Sequence, residues 1–129
     1  MSTARLRRSS KTLRENAAIA WARDGYRCVV CGTAFNPQMH HRLPRGMGGS
    51  SRRPEIHSPA NLLTLCADHH AWVENHRTEA LAAGLLVLRG TDPASIPIQT
   101  IDGWVSHLPD GSRVPSTIPT IPREGERNA

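Results

Sequence analysis

Aromatic residues make up only 4% of the 129-residue chain, with one tyrosine and one phenylalanine. So lean a complement leaves a thin core, of the kind that small domains staple with a metal or with disulfides. Cysteine is scarce too, and Cys28, Cys31 and Cys66 are the whole supply. An odd number, with no apolar leader-like stretch after the basic first residues, argues against a secreted disulfide framework. A reducing, cytoplasmic setting with metal-bound thiolates fits better. Lysine is nearly missing, since Lys11 stands alone among sixteen basic residues. No run approaches the roughly 18 apolar residues of a membrane span. No pair of closely spaced acids supports a two-metal carboxylate site.

What the chain does have is arginine, with a net charge of +5 and a pI near 10.1. Arginine's planar fork suits phosphate contacts. A basic balance favours an acidic partner such as nucleic acid, the plain alternative being a solvated basic surface.

The chain divides into three parts. Residues 1–11, basic and serine-rich, read as a disordered arm. Residues 12–90 hold the motifs and form the expected domain. Residues 91–129 form a C-terminal extension with a possible hairpin and a disordered tail. A helix is predicted from Thr12 and Glu15, which make a capping-box pattern. Leu13, Ala17, Ala20 and Trp21 lie on one of its faces, and Gly25 is its stop. Cys28-Val29-Val30-Cys31-Gly32 reads as a tight metal knuckle. Residues 38–43 look extended, and 44–59 form a long loop. Ser58-Pro59 resembles a helical N-cap with proline at the first position, introducing a short turn that carries Asn61. One helix is predicted from Ala67 to Ala83, stopped by Gly84. Leu85–Leu88 reads as a strand, and Trp104–Leu108 can pair with Arg113–Val114 across Pro109-Asp110-Gly111-Ser112.

Two short pairs carry metal chemistry. Cys28 and Cys31 are spaced C-x2-C, and Cys66 and His69 are spaced C-x2-H. Together they supply four soft or borderline ligands, which suits a tetrahedral, structural Zn²⁺. His70 is a rival to His69, but adjacent helical residues diverge by about 100°, so the two do not easily serve one ion. Glu74, four residues after His70, is placed to assist whatever His70 binds. His76 returns to the His69 face, as packing or as a zinc-side neighbour rather than a partner of His70.

His40 and His41 stand together on the extended segment, where neighbours point to opposite faces. One can bind a metal while the other does a separate job. Phosphodiester hydrolysis needs a base for the attacking water and positive charge on the developing oxyanion and leaving oxygen. Histidine suits the first role and a divalent ion the others. Asn61 can hold the backbone or ring of the base. Arg42, Arg45, Arg52 and Arg53 become credible phosphate clamps near such a site, and Trp21 and Trp72 read as core. His57 and His107 have no motif to support a role.

The pattern Cys28-Val29-Val30-Cys31, then Met39-His40-His41-Arg42-Leu43-Pro44, Gly48-Gly49-Ser50, Asn61-Leu62-Leu63-Thr64-Leu65-Cys66 and His69-His70-Ala71-Trp72 resembles the HNH endonuclease family, in its cysteine-containing, phage-type branch. The resemblance spans about residues 25–77. It implies an α+β chain with a ββα-metal (His-Me finger) core, a structural zinc knuckle and an N-terminal helix. By that resemblance His41 is the general base and Asn61 orients it. His40 and His70 hold one divalent ion, Mg²⁺, Mn²⁺ or a later metal such as Ni²⁺, while Cys28, Cys31, Cys66 and His69 hold zinc. Many relatives of this branch carry aspartate at the His40 position and cysteine at the His69 position. Histidine at position 40 shifts metal preference toward softer ions.

The expected activity is therefore DNA phosphodiester hydrolysis. The rival is a zinc DNA-binding module, non-catalytic or dependent on a partner such as a phage terminase or other packaging protein. Such a module has no need of His41, and the survival of His40, His41, Asn61 and His70 together favours cleavage. No interleaved aromatics point to RNA.

Overall fold

A computed structural model describes residues 2–44 and 54–118. The first helix, α1, spans Ser2–Arg23, so it begins well before the Thr12–Glu15 capping pattern. Glycine and proline are absent from residues 1–24, and Ala4, Leu6, Arg7, Arg8 and Lys11 are good helix formers, so nothing local stops the helix from extending. It ends as predicted. Gly25 and Tyr26 take positive φ values of 65° and 58°, and the Tyr26 N–H returns to the Trp21 carbonyl at 3.0 Å, closing the last turn. Among the described side chains of this helix, Ala20 is fully buried.

Strand β1, Pro37–His41, pairs antiparallel with β2, Leu62–Cys66, in a register that sets His40 opposite Leu63 and His41 opposite Leu62. All five β2 residues are buried, because the ribbon is covered by α1 and by α2, which spans Ala67–Asn75 and follows directly from β2. Between the strands, Ser58 caps a 3-10 turn over Pro59–Asn61 by accepting the Ala60 N–H, as the Ser-Pro signal predicts.

The helix expected over Ala67–Ala83 is broken. Helix α3 occupies Arg77–Ala82, and between the two His76 leaves helical geometry at φ −136°, ψ 54°. Its Nδ1 donates to the Trp72 carbonyl at 3.0 Å, and its ring stacks on Trp72 with centroids 4.7 Å apart. A side-chain hydrogen bond thus stands in for a backbone one, without glycine or proline at the break. Gly84 (φ 75°) ends α3, and Leu85–Leu88 is irregular rather than a strand.

The extension adds an antiparallel sheet of β3 (Ile98–Thr100), β4 (Gly103–His107) and β5 (Arg113–Pro115). The β4–β5 pair is the hairpin predicted across Pro109–Ser112; β3 is an addition. Ile98 and Val105 from this sheet join Val29, Leu63, Leu65, Val73, Ala80, Leu85 and Leu86 in one buried cluster. Among the described residues no helix is long and apolar enough to cross a membrane. The expected tail lies outside the described residues from 119 onward.

Candidate functional site

The knuckle forms because Gly32, at φ 78°, lets the chain reverse so that its N–H meets the Cys28 carbonyl at 2.8 Å. Cys66, at the junction of β2 and α2, is the N-cap of α2, its Sγ accepting the His69 N–H at 3.4 Å. These two local structures bring Cys28, Cys31, Cys66 and His69 together, with their ligand atoms all within 4.8 Å of one another. Individual edges are 3.3 Å from Cys66 Sγ to His69 Nδ1, 3.7 Å from Cys28 Sγ to His69 Nδ1, and 3.9 Å from Cys31 Sγ to Cys66 Sγ. A tetrahedron with zinc–sulfur bonds of about 2.3 Å has edges of roughly 3.5–3.8 Å, so the cluster is compatible with a zinc site. Burial raises the Cys28 pKa, but N–H groups of Cys31, Cys66 and Val30 outweigh it and hold that thiol below its ordinary value. The deprotonated form is the one a metal needs. Of the two adjacent histidines it is His69, not His70, that lies in this cluster.

The second site lies where β1 meets α2. His40 is buried and its ring stands edge-on to that of His70, with centroids 5.2 Å apart. His40 Nε2 lies 2.7 Å from the Leu85 carbonyl oxygen, and His70 Nδ1 lies 2.6 Å from Gln38 Oε1. A carbonyl oxygen only accepts, so in each ring that nitrogen donates and the other keeps its lone pair. Metal-binding histidines characteristically have this remote anchoring. Burial, aided by the nearby His70 and Arg42 and opposed by the Leu85 carbonyl, pushes the His40 pKa down to about 4, so His40 is neutral near pH 7. The helper expected for His70 was Glu74, whose exposed carboxylate instead faces Arg77 at 3.4 Å. Gln38 takes that place, two residues before His40 on the same strand face.

His41 points the other way, as strand alternation requires, and meets His57 edge-on with centroids 5.6 Å apart. Asn61 is fully buried. Its Oδ1 accepts the Leu43 N–H at 2.7 Å, and its Nδ2 donates to the Leu43 carbonyl at 3.2 Å and to the Ile56 carbonyl at 2.9 Å. It therefore fixes the backbone two residues beyond His41.

Arg42 departs from its expected role as a phosphate clamp. It is 0% exposed, with Nε donating to the Gly84 carbonyl, Nη1 to those of Ala60 and Pro93, and Nη2 to that of Ile96, at 2.7–2.9 Å. Four of its five N–H donors are spent on backbone carbonyls, and burial with the nearby Arg23 lowers its pKa to about 9. Arg45, Arg52 and Arg53 lie outside the described residues. Exposed Arg77 and Arg89, which had no motif, flank a groove of about 250 Å³ with Leu43 and Pro44. Half-buried Trp21 stacks on exposed Tyr26.

An antiparallel ribbon on a helix, with two anchored imidazoles between them and a Cys3His cluster at the helix start, defines a ββα-metal type of domain. Residues 28–78 match the family model of the HNH endonucleases. The matched segment contains every one of the site residues from Cys28 to His70. No curated protein and no solved structure matches the chain.

Proposed function

We propose that this protein is a metal-dependent endonuclease that hydrolyses DNA phosphodiester bonds. The observation that carries the reading is the paired anchoring of His40 and His70, each fixed by a carbonyl oxygen with its second nitrogen left as an acceptor. Those two rings would hold a divalent ion, and Cys28, Cys31, Cys66 and His69 a structural zinc. When bound, the divalent ion supplies positive charge for the scissile phosphate and the leaving oxygen. His41, on the opposite face of β1, accepts the proton of the attacking water. Asn61 orients it through the Leu43 backbone.

The catalytic unit in this reading is residues 12–90, with 1–11 as a basic arm and 91–129 as a C-terminal extension. Arg45, Arg52 and Arg53, joined by Arg77 and Arg89, contact phosphates. The test is nicking of supercoiled plasmid by zinc-loaded protein with Mg²⁺, Mn²⁺, Ni²⁺ or EDTA, beside His41→Ala. Metal-dependent cleavage that vanishes in the folded variant is expected. Absence of cleavage with every ion, or full activity in His41→Ala, would overturn the assignment.

A further inference from the structure

His57 is buried at 4% exposure, carries no motif, and has no part in the mechanism above. It ends a 3-10 turn over Pro54–His57, a segment whose position is fixed from two sides. Asn16 of α1 donates through Nδ2 to the His57 carbonyl at 2.7 Å. Asn61 donates to the Ile56 carbonyl at 2.9 Å with the same side chain that grips Leu43 beyond His41. One buried asparagine thus sets the spacing between the His41 strand and the His57 turn. The rings meet at an interplanar angle of 72° and a centroid distance of 5.6 Å, within the range of favourable edge-to-face aromatic pairs.

From this arrangement we infer that His57 is a positioning residue for His41, its ring holding the imidazole of the base in the orientation that cleavage requires. The inference rests on the assignment of His41 as the base. A base that reacts with water must be held to within a fraction of an ångström, and misplacement by about 1 Å costs about a hundredfold in rate. The ring of His57 arrives from a separate, doubly anchored turn and packs edge-on against half-buried His41. A ring is what the geometry uses, so phenylalanine should substitute and a flexible aliphatic side chain of similar bulk should not.

The experiment uses the full zinc-loaded chain and compares His57→Leu with His57→Phe. For each, kcat and KM for plasmid nicking are measured, along with the ring-proton NMR signals of His41 at one fixed pH. His57→Leu is expected to lower kcat about tenfold or more with KM unchanged, and to remove the ring-current displacement from His41. His57→Phe is expected to restore both. Equal kcat in His57→Leu and the wild type, unmoved His41 signals, or a His57→Phe protein as slow as His57→Leu would each overturn the inference. If His57→Leu does not fold, His57→Phe and His57→Gln make the same comparison of ring against no ring. His41→Ala separates the two levels. If it still cleaves, the base assignment fails; if it is inactive while His57→Leu is fully active, only the positioning role fails.

Discussion

Arg113 of β5 donates through Nη2 to Asp24 Oδ1 at 2.7 Å, tying the end of α1 to the C-terminal hairpin. The Asp24 side chain is 0% exposed. It also takes a bidentate pair from Arg23 at 2.8 and 3.0 Å and the Thr64 N–H at 2.9 Å. Arg23 continues to the Pro59 and Leu62 carbonyls at 2.8 and 2.6 Å. One carboxylate therefore organises α1, β2 and β5. Removing one partner of a buried pair leaves the others uncompensated. Asp24→Ala is expected to destabilise the protein by about 3 kcal/mol, measured by urea unfolding. A loss below about 1 kcal/mol would show that the network contributes little.

Gly84→Ala should be among the most damaging single-methyl additions. A Cβ there would sit 1.9 Å from the Pro97 carbonyl oxygen at φ 75°, and the Gly84 carbonyl also holds Arg42. Gly90 has φ 88° but nothing within 4 Å of its added Cβ. Gly90→Ala is expected to cost about 1 kcal/mol from backbone strain alone, and Gly84→Ala at least twice that. Equal melting temperatures for the two variants would contradict the steric account.

Zinc in the proposed Cys3His site predicts a dependence of folding on metal. Chelation should lower the melting temperature, because binding free energy at a structural site is folding free energy. Cys31 is exposed, so Cys31→Ser sacrifices little burial, and its expected effect is loss of bound zinc read by elemental analysis. Full zinc occupancy in that variant would remove Cys31 from the ligand set.

Gln38→Leu tests the second site. It removes the acceptor that orients His70 while keeping the strand. The concentration of divalent ion needed for half-maximal nicking should rise about 10–100-fold, with zinc content unchanged. An unaltered metal titration would mean that Gln38 does not orient a ligand.

His107 sets a pH dependence. Burial, then the positive charges of Arg23, Arg113 and Arg42, pushes its pKa down to about 2. Asp24 lies 4.0 Å from Nε2, yet that nitrogen already accepts the Arg113 Nε–H at 3.0 Å, so the neutral ring is the one the fold needs. In the unfolded chain the ring titrates near 6.5. The unfolded state therefore binds more protons between those values, and stability falls as pH drops from about 6.5 toward 2. Urea midpoints across pH 5–7.5 should show this slope, and His107→Gln, which keeps an acceptor for Arg113, should flatten it. An unchanged slope would assign the acid sensitivity to other groups.

The local readings came from local patterns. The C-x2-C and C-x2-H spacings, the Ser58-Pro59 cap before Asn61, the Gly25 stop and the β4–β5 turn each depend on residues a few positions apart. Such features are decided by backbone geometry over one turn or one strand, which residue type and spacing encode directly. The opposite orientations of His40 and His41 follow in the same way from the two-residue period of a strand.

What only the tertiary structure decided is where partners come from elsewhere in the chain. Arg42 looks like a surface arginine at the end of an extended segment, but it is claimed by the carbonyls of Gly84, Ala60, Pro93 and Ile96. Backbone carbonyls are common to all residues, so they leave no mark in the sequence. The same holds for Leu85 on His40, while Gln38 and His57 gain meaning only once β1, α2 and the 54–57 turn are packed. Sequence determined which chemistry the chain carries, because ligand and cap identities are properties of side chains. The fold determined which of those groups face a reaction and which hold the structure, because that depends on where distant backbone ends up.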